Sequence, residues 1–382
     1  MNSKKLAIVH EKIAGSIGGS EYILFNAMNL FPDAAVYSIV LDLKILPSKY
    51  NDRKINTTFI QKLPFSRKKY KAYFPLMPLA VENLNLQEFD VIFSSHHCVA
   101  KGIIPRPDAV HICYCHSPAR YIWDLFWTYS NLNRFNAFQN FVISAISQYI
   151  RTWDVVSSNR IDYFLANSSY TAARIKKFYN RNSEILYPPV ETSKFKHATS
   201  DDYYLMVGRL VSYKGFELAI RAFNESGKNL VIIGDGPEFV KYKNLAGANI
   251  KMIGHTSEEV LIKYMNNCKG YIFPGREDFG IVMAEAQAAG KPVIAYEEGG
   301  ALDIVIENET GLFFKEQTIS SLNQAINKSE SFKWDHSFIM QHSKKFDTKN
   351  FQSRLKYILE NAEKFKNNVE YCNLENYEYC PI

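Results

Sequence analysis

The sequence lacks the patterns that mark several common classes of protein. No uninterrupted apolar run reaches about 18 residues, so no transmembrane helix is expected. Residues 6–9 form a short strand-like run, and no amino-terminal segment resembles the apolar region of a signal peptide. The dinucleotide-binding pattern G-x-G-x-x-G does not occur either. We therefore expect neither a membrane-spanning protein nor a nicotinamide-dependent dehydrogenase.

Cysteine pairs that could hold a metal ion are also scarce. The six cysteines are scattered, and only Cys113 and Cys115 lie close together in the sequence. Without a second close pair, a zinc site is not expected. Reduced thiols in the cytoplasm are the simplest interpretation of this distribution.

Length and charge define the broad class. A chain of 382 residues suggests two domains, and a hydrophobic content of 47% is enough for two buried cores. The net charge of +6 is mildly basic. It is compatible with an anionic ligand or surface, but no nucleic-acid-binding motif accompanies it. We expect no nucleic-acid partner.

The first half of the chain reads as an α/β series. Apolar runs predict strands over residues 6–10, 36–41, 89–94, 111–114 and 162–167, and helical spacing follows over 21–30, 133–160 and 171–179. The glycine-bearing loop of residues 11–20 joins the first strand and helix, as in the opening of a Rossmann-like unit. Gly18 and Gly19 are equally compatible with a plain turn and with a loop whose backbone N–H groups face a phosphate or an acceptor.

His116 is a candidate functional residue. It follows a predicted strand directly, in the text CHSPARYIWD, and doubly wound sheets bind their ligands at the carboxyl ends of strands. A lone histidine is more often structural. Because Ser117 and Pro118 end the strand and a polar and aromatic cluster follows, we favour a functional role.

A basic and aromatic stretch occupies residues 59–74, FIQKLPFSRKKYKAYF. It carries five cations and no acid, interleaved with aromatic side chains. Such a stretch can lie on an anionic membrane surface, where each Lys or Arg contributes about 1 kcal/mol. The alternative is a solvated helix face whose aromatic side chains enter the core.

A second α/β series follows the stiff connection LYPPV, residues 186–190. Its predicted strands cover residues 203–207, 230–234, 250–253, 271–273, 293–295 and 310–314. The first of them leads into the loop GRLVSYKG, where Arg209 and Lys214 are placed to neutralise a diphosphate. Taken alone, these two are more simply solvated loop cations.

The segment YIFPGREDFGIVMAEAQAAGKP, residues 271–292, contains the most informative acids. Glu277 lies in a loop after a strand, and Glu285 lies in the helix that begins near Phe279 and Gly280, with seven residues between the two acids. A helix start offers unpaired N–H groups and a positive dipole end, which suit phosphate. The arrangement fits a ligand with hydroxyls at both ends and a diphosphate between them, although two surface acids at this spacing are common by chance.

The motifs in this order resemble the family 4 glycosyltransferases, the retaining nucleotide-sugar enzymes of the GT-B fold. The motifs are Gly18-Gly19, His116, GRLVSYKG, GDGP and the acid pair Glu277 and Glu285, over residues 6–366. The resemblance implies an α/β fold of two Rossmann-like domains facing across a cleft, residues 1–188 and 189–346. It also implies that a terminal helix over 347–366 crosses back to the first domain, before a tail of residues 367–382.

The resemblance also implies donor-binding roles. Arg209 and Lys214 would hold the donor diphosphate, and the loop between them varies in length across the family, which leaves its geometry open. Glu285 would bind the ribose and Glu258 the base, with a hint of guanine. The remaining residues implied at the donor sugar and phosphates are Glu277, Phe279, Gly280, Ile281, Gly19 and His116.

Several features narrow the implied function. The text around CHSPARYIWD resembles bacterial transferases that build O-antigen, capsule or exopolysaccharide, many of them mannosyltransferases. This implies a hexose, best mannose from GDP-mannose, moving to a polyprenyl-diphosphate-linked glycan at the inner face of the cell membrane. No D-x-D triplet occurs, so we expect no metal and no cofactor beyond the donor. The alternatives are a UDP-sugar enzyme with a soluble or other acceptor, and a non-catalytic nucleotide- or glycan-binding module.

Overall fold

The computed structural model describes residues 4–15, 17–124, 126 and 136–366. The chain divides into two compact units, one of the residues up to Tyr187 together with those from Gln352 onward, and one of Pro188–Phe351. The predicted domain boundaries at residues 188 and 346 lie near these divisions. The predicted tail, residues 367–382, and the start of the predicted helix at residues 133–135 lie outside the described residues.

Unit 1 contains a parallel sheet of seven strands within the described residues, in the order β3-β2-β1-β4-β5-β6-β7. These strands are Leu6–His10 (β1), Ala35–Ser38 (β2), Ile55–Thr57 (β3), Val91–His96 (β4), Val110–Cys115 (β5), Tyr163–Ala166 (β6) and Glu184–Ile185 (β7). Its first helices are Gly19–Leu30 (α1), Ser66–Lys69 (α2), Met77–Glu82 (α3), Ala137–Ser158 (α4) and Ser169–Tyr179 (α5). The central strands β4 and β5 are buried along their whole length, including the polar residues at the end of β4, as is typical of a parallel sheet covered on both faces.

Unit 2 contains a second parallel sheet, in the order β10-β9-β8-β11-β12-β13. Its strands are Tyr204–Val207 (β8), Leu230–Ile233 (β9), Ile250–Gly254 (β10), Tyr271–Phe273 (β11), Val293–Tyr296 (β12) and Gly311–Phe314 (β13). Its helices are Phe216–Ser226 (α6), Phe239–Leu245 (α7), Glu258–Asn267 (α8), Ile281–Ala288 (α9), Ala301–Ile304 (α10), Ile319–Ser331 (α11) and His336–Ser343 (α12). The two sheets confirm the predicted GT-B class of α/β fold.

The last described helix, Thr348–Glu360 (α13), starts at the division between the units. Its later turns belong to unit 1, where the guanidinium of Arg354 donates two 2.7 Å hydrogen bonds to Glu184 of β7. A short 3₁₀ turn over Ala362–Phe365 follows it. The predicted continuous helix over 347–366 is therefore interrupted after Glu360.

The strand order places the ligand-facing loops. In each sheet the order reverses once, between β1 and β4 in unit 1 and between β8 and β11 in unit 2. Open α/β sheets bind ligands outside the carboxyl ends of the strands at this reversal. The loops that follow these four strands are therefore the first places to look for a site.

A buried ion pair stabilises the core of unit 1. Nζ of Lys101 lies 2.9 Å from Oδ1 of Asp154, and both side chains are fully buried. The indole N–H of Trp123 and the hydroxyl of Tyr179 donate to the other carboxylate oxygen, at 2.8 and 2.9 Å. The attraction of Lys101 for Oδ1 and the two hydrogen bonds to Oδ2 offset part of the large cost of removing the ion pair from water.

Several predicted elements differ in extent from the structure. Helix α1 begins at Gly19, inside the predicted loop, because the Glu21 carboxylate accepts a 2.8 Å hydrogen bond from the Gly18 N–H and caps the helix start. Strand β2 ends at Ser38 and is shorter than predicted. The short edge strands β3 and β7 were not predicted, since two or three residues carry too little apolar pattern.

Candidate functional site

Two loops at the sheet reversal of unit 2 contact each other through glycine. A Cβ atom on Gly215 would lie 2.9 Å from the carbonyl group of Pro274, and one on Gly275 would lie 2.8 Å from Cα of Lys214. Only a residue without a side chain allows backbones to approach this closely. The loop after β8 is thereby held against the loop after β11.

This backbone contact brings Lys214 and Glu277 together. Nζ of Lys214 lies 2.7 Å from Oε1 of Glu277, and each side chain is about one-fifth exposed, at 20% and 22%. Burial alone would lower the pKa of Lys214, but the charge of Glu277 and the hydrogen bond to it raise that pKa above its usual value. The lysine is therefore a charged cation held beside Glu277 on the carboxyl side of β8 and β11.

The start of α9 completes this edge. Gly280 has a φ of +89°, a left-handed conformation that favours glycine, and it is the residue before the helix begins at Ile281. Phe279 and Gly280 are buried, and the carbonyl of Glu277 accepts a 2.9 Å hydrogen bond from the Gly300 N–H. The backbone of the turn that carries Glu277 is thus fixed beside a helix start.

Glu285 lies on the second turn of α9. Burial raises the pKa of its carboxyl to about 7, and the negative charge of Glu258 contributes to the rise. Glu258 begins α8 and pairs with Lys194, with 2.6 Å between Nζ and Oε1. The two acids predicted for the ribose and the base therefore influence each other electrostatically.

Arg209 is exposed on the loop after β8, ahead of the 3₁₀ turn Ser212–Lys214. Its positive charge opposes the protonation of Lys214, so both cations act on the same region. Unit 2 thus brings Arg209, Lys214, Glu277, Gly280 and Glu285 to the carboxyl side of β8 and β11.

Unit 1 presents Gly19 after β1, at its own sheet reversal, and His116 after β5, the strand next to β4. Gly19 is the first residue of α1, and its neighbour Gly18 is tied to Glu21. His116 follows β5 directly, and its backbone N–H donates a 2.8 Å hydrogen bond to the backbone carbonyl of His96. Burial, followed by the charges of His97 and His10, holds the pKa of His116 well below its usual value. The imidazole is therefore neutral near pH 7.

The predicted polar and aromatic cluster after His116 is partly buried and makes several side-chain contacts within unit 1. The indole of Trp123 bonds to buried Asp154, and Asp124 pairs at 2.6 Å with Arg174 of α5. The hydroxyl of Tyr121 contacts the thiol of Cys98. These contacts fix the segment that follows His116.

Three residues beside His116 were not singled out from the sequence. His10, Glu21 and Ser95 join it in a buried polar chain that starts at the carboxyl end of β1. The available sequence signal was their position, since His10 and Ser95 each lie at the carboxyl end of an apolar strand. Within the described residues, no three His, Cys, Asp or Glu side chains are grouped so that they could hold a metal ion.

Protein-family comparisons cover most of the chain. Residues 17–194 match the model described as Glycosyltransferase Family 4, and residues 190–340 match the model described as Glycosyl transferases group 1. The two matches adjoin near the division between the compact units. Between them they include every candidate residue described above except His10.

Curated relatives carry related names. An uncharacterized glycosyltransferase of Haemophilus influenzae is 26% identical over 341 residues, 83% of this chain and 89% of that protein. The capsular polysaccharide biosynthesis glycosyltransferase CapM of Staphylococcus aureus is 28% identical over 205 residues, 49% of this chain and 51% of CapM. A GDP-mannose-dependent alpha-mannosyltransferase of Corynebacterium glutamicum is 36% identical over 107 residues, 28% of this chain and 26% of that protein. The chain spans about half the length of several curated relatives that it matches.

Solved structures share the architecture. Anabaena HepE, crystallised with UDP and glucose, aligns with a TM-score of 0.69 at 16% identity, over 94% of this chain and 100% of that one. At this identity the likeness demonstrates a common fold and nothing finer.

Proposed function

Since the chain belongs to the family 4 glycosyltransferases of the GT-B fold, we propose that it is a retaining enzyme that transfers a hexose from a nucleotide sugar to a hydroxyl of a lipid-linked glycan. The observation that carries the proposal is the Lys214–Glu277 pair at the sheet reversal of unit 2. A cation and a carboxylate side by side match the two adjoining parts of such a donor, its diphosphate and its sugar hydroxyls.

Each donor group has a counterpart in unit 2. Arg209 and Lys214 bind the diphosphate, which the backbone N–H groups at the start of α9 also approach. Glu277 accepts hydrogen bonds from sugar hydroxyls beside Phe279 and Gly280, and Glu285 accepts them from the ribose. In unit 1, Gly19 lies at the start of α1, where backbone N–H groups favour phosphate.

The chemistry needs stabilisation of the departing nucleoside diphosphate. Negative charge builds on the leaving phosphate oxygen, and fixed cations placed there lower the barrier. Arg209 and Lys214 supply this charge, so no metal is required. The acceptor hydroxyl attacks the anomeric carbon on the face that the phosphate leaves, and the leaving oxygen takes the hydroxyl proton. His116 contacts the transferred sugar during this step.

We assign guanine as the base of the donor and mannose as its sugar, so that the donor is GDP-mannose. Glu258 can accept hydrogen bonds from the N–H groups of a guanine edge, and its negative charge acts on Glu285, the acid proposed for the ribose. Similarity to the GDP-mannose-dependent enzyme supports this choice. The second candidate is a UDP-sugar donor, favoured by the shared fold with the UDP complex of HepE.

The acceptor is assigned to a membrane surface. The segment of residues 59–74 folds into two 3₁₀ helices around α2, and Lys62, Arg67, Lys68, Lys69 and Lys71 are all exposed. Tyr70, Tyr73 and Phe74 pack partly against the core, whereas the side chain of Phe65 is 74% exposed beside these cations. Cations around an exposed ring are suited to anionic lipid headgroups.

Helix α4 extends this surface with apolar side chains. Residues 137–150 contain no ionisable group other than a tyrosine hydroxyl, and Phe138 and Phe141 are 74% and 71% exposed. Ile146 and Ile150 of α4 pack in the same cluster as Phe74, so the helix adjoins the basic segment. None of the described helices is both long and apolar enough to cross a membrane.

A thermal-shift panel with GDP, UDP, ADP and their sugars tests the donor assignment. A ligand at about 100 times its dissociation constant stabilises the fold by roughly 2.7 kcal/mol. We expect GDP and GDP-mannose to raise Tm; a shift confined to UDP and its sugars supports the second candidate. Binding without transfer or hydrolysis of any donor would favour a non-catalytic module.

Vesicle sedimentation tests the acceptor surface. Wild-type protein is expected to bind vesicles that contain anionic lipid, and the quadruple change of Arg67, Lys68, Lys69 and Lys71 to Gln is expected to abolish binding. The control variant loses the same number of positive charges elsewhere on the surface, through changes to Gln at Lys263, Lys315, Lys349 and Lys356. Equal binding by the two variants would favour a soluble acceptor.

A further inference from the structure

A buried polar chain connects the glycine loop of unit 1 to His116. Nδ1 of His10 lies 3.0 Å from Oγ of Ser95, and the same hydroxyl lies 2.9 Å from Nε2 of His116. At the other end, Nε2 of His10 faces Oε1 of Glu21 at 3.8 Å. Glu21 in turn accepts hydrogen bonds from Lys12 at 2.9 Å and from the Gly18 N–H at 2.8 Å.

Strand register explains why these side chains meet. His10 and Ser95 are Cα partners in the β1–β4 ladder, and Ser95 is the partner of Tyr114 in the β4–β5 ladder, two residues before His116. The buried polar chain of side chains therefore runs across the carboxyl ends of the three adjacent strands β1, β4 and β5. His10, Ser95 and Glu21 are almost completely buried, so water does not compete for these bonds.

Proton positions follow from Glu21. Burial alone would raise the pKa of this carboxyl, but interactions with His10 and Lys12 lower it far below its usual range. The distance of 3.8 Å from Nε2 of His10 to Oε1 of Glu21 is longer than a hydrogen bond, but the negative charge of the carboxylate favours a proton on this buried, otherwise unpartnered nitrogen, and we place it there. In the neutral ring, Nδ1 of His10 is then an acceptor.

The directions of the two hydrogen bonds at Ser95 follow one after the other. Ser95 has a single proton and donates it to Nδ1 of His10, so its oxygen must accept from Nε2 of His116. We propose that Glu21, His10 and Ser95 are positioning residues that hold His116 as its Nε2–H tautomer and leave Nδ1 as a hydrogen-bond acceptor for a sugar hydroxyl. The role of the free nitrogen rests on the proposed function, whereas the tautomer does not.

A fixed tautomer of His116 determines how a sugar hydroxyl is oriented during transfer. A ring with a fixed tautomer presents a lone pair to a hydroxyl, whereas the other tautomer would present an N–H and require the hydroxyl to accept. Glu21 also accepts a hydrogen bond from the Gly18 N–H at the start of α1. The same carboxylate therefore fixes the start of this helix and, through His10 and Ser95, the tautomer of His116. A displacement of the glycine loop would therefore change the orientation of His116 through Glu21, His10 and Ser95.

Histidine ring nitrogen NMR of the ligand-free, full-length protein tests the tautomer. We expect the His116 resonances, assigned by comparison with His116→Gln, to show a protonated Nε2 and an unprotonated Nδ1 near pH 7.5. A proton on Nδ1 would overturn the proposal, because it requires Ser95 to donate to His116 and His10 to donate to Ser95. This measurement needs only the wild-type chain and one assignment variant.

Ser95→Ala tests the positioning role, and Ser94→Ala is its matched control. Ser94 is the adjacent buried serine of β4, with its hydroxyl 2.8 Å from Nε2 of His111 and outside the chain to His116. We expect Ser95→Ala to give a mixture of His116 tautomers and about a tenfold lower kcat with unchanged donor KM. Ser94→Ala should keep the wild-type tautomer and kcat.

The two parts of the proposal fail separately. A wild-type tautomer ratio and kcat in Ser95→Ala would overturn the positioning role. Absence of transfer by the wild-type chain would overturn the proposed function, and the NMR spectrum alone would then decide the tautomer.

Discussion

Nζ of Lys214 lies 2.7 Å from Oε1 of Glu277, so the cation assigned to the donor diphosphate and the acid assigned to the donor sugar form one ion pair. The close backbone approach at Gly215 and Gly275 sets this distance. A diphosphate that binds Lys214 must share or replace the carboxylate. Donor binding and the orientation of Glu277 are therefore coupled.

Glu277→Gln should separate donor affinity from turnover. The change frees Lys214 from its carboxylate partner, so we expect affinity for the nucleoside diphosphate to stay equal or increase. Turnover should fall roughly a hundredfold or more, because the sugar loses its charged acceptor and its orientation. Calorimetry and steady-state transfer assays measure the two effects, and parallel losses of affinity and turnover would contradict the coupling.

Much of the fold could be predicted from the sequence because apolar runs and glycine-bearing loops are local signals. The strands that precede His116 and Lys214 were recognised in this way, and so were the two α/β series, whereas the GT-B fold was implied by the family resemblance. The Lys214–Glu277 contact was not, because it depends on two loops, distant in the sequence, whose backbones approach closely at Gly215 and Gly275. The chain from Glu21 to His116 depends on strand register, which apolar runs do not encode.

Nucleotide binding should weaken as the pH falls through about 7. The raised pKa of Glu285 means that this carboxyl gains a proton near pH 7 and then accepts ribose hydrogen bonds less well. Glu258 and Glu191 favour the proton, and Lys194 opposes it. We expect Kd to rise by up to about tenfold per pH unit well below 7.

Glu285→Gln provides the control for this pH dependence. It keeps the shape of the side chain and cannot titrate, so the ratio of the two Kd values cancels the titration of the phosphate itself. The ratio of wild-type Kd to variant Kd should rise as the pH falls from 8 to 6. A ratio independent of pH would exclude Glu285 from ribose binding.

Metal chelation should leave transfer unaffected. The charge of the leaving diphosphate is balanced by Arg209 and Lys214, which EDTA does not remove. Initial rates with and without excess EDTA should agree within about twofold. Loss of activity on chelation and its recovery with Mg²⁺ would require a different source of charge stabilisation.

Asp154→Ala should destabilise unit 1 strongly. It leaves the fully buried Lys101 without its carboxylate, and breaking a buried pair in this way costs about 3–5 kcal/mol. Denaturant unfolding measures the loss. Asp202→Ala, which removes the partner of exposed Lys269, is the surface control and should change stability by less than about 1 kcal/mol.

The central claim is that Lys214 serves the transfer reaction, and the rate of sugar transfer by Lys214→Met tests it most directly. The control is Arg221→Met, which removes an exposed ion pair with Glu217 on α6 of the same unit. We predict at least a hundredfold loss of kcat/KM in Lys214→Met, with the protein still folded, and less than a twofold change in Arg221→Met. Equal transfer rates in the two variants would contradict the account.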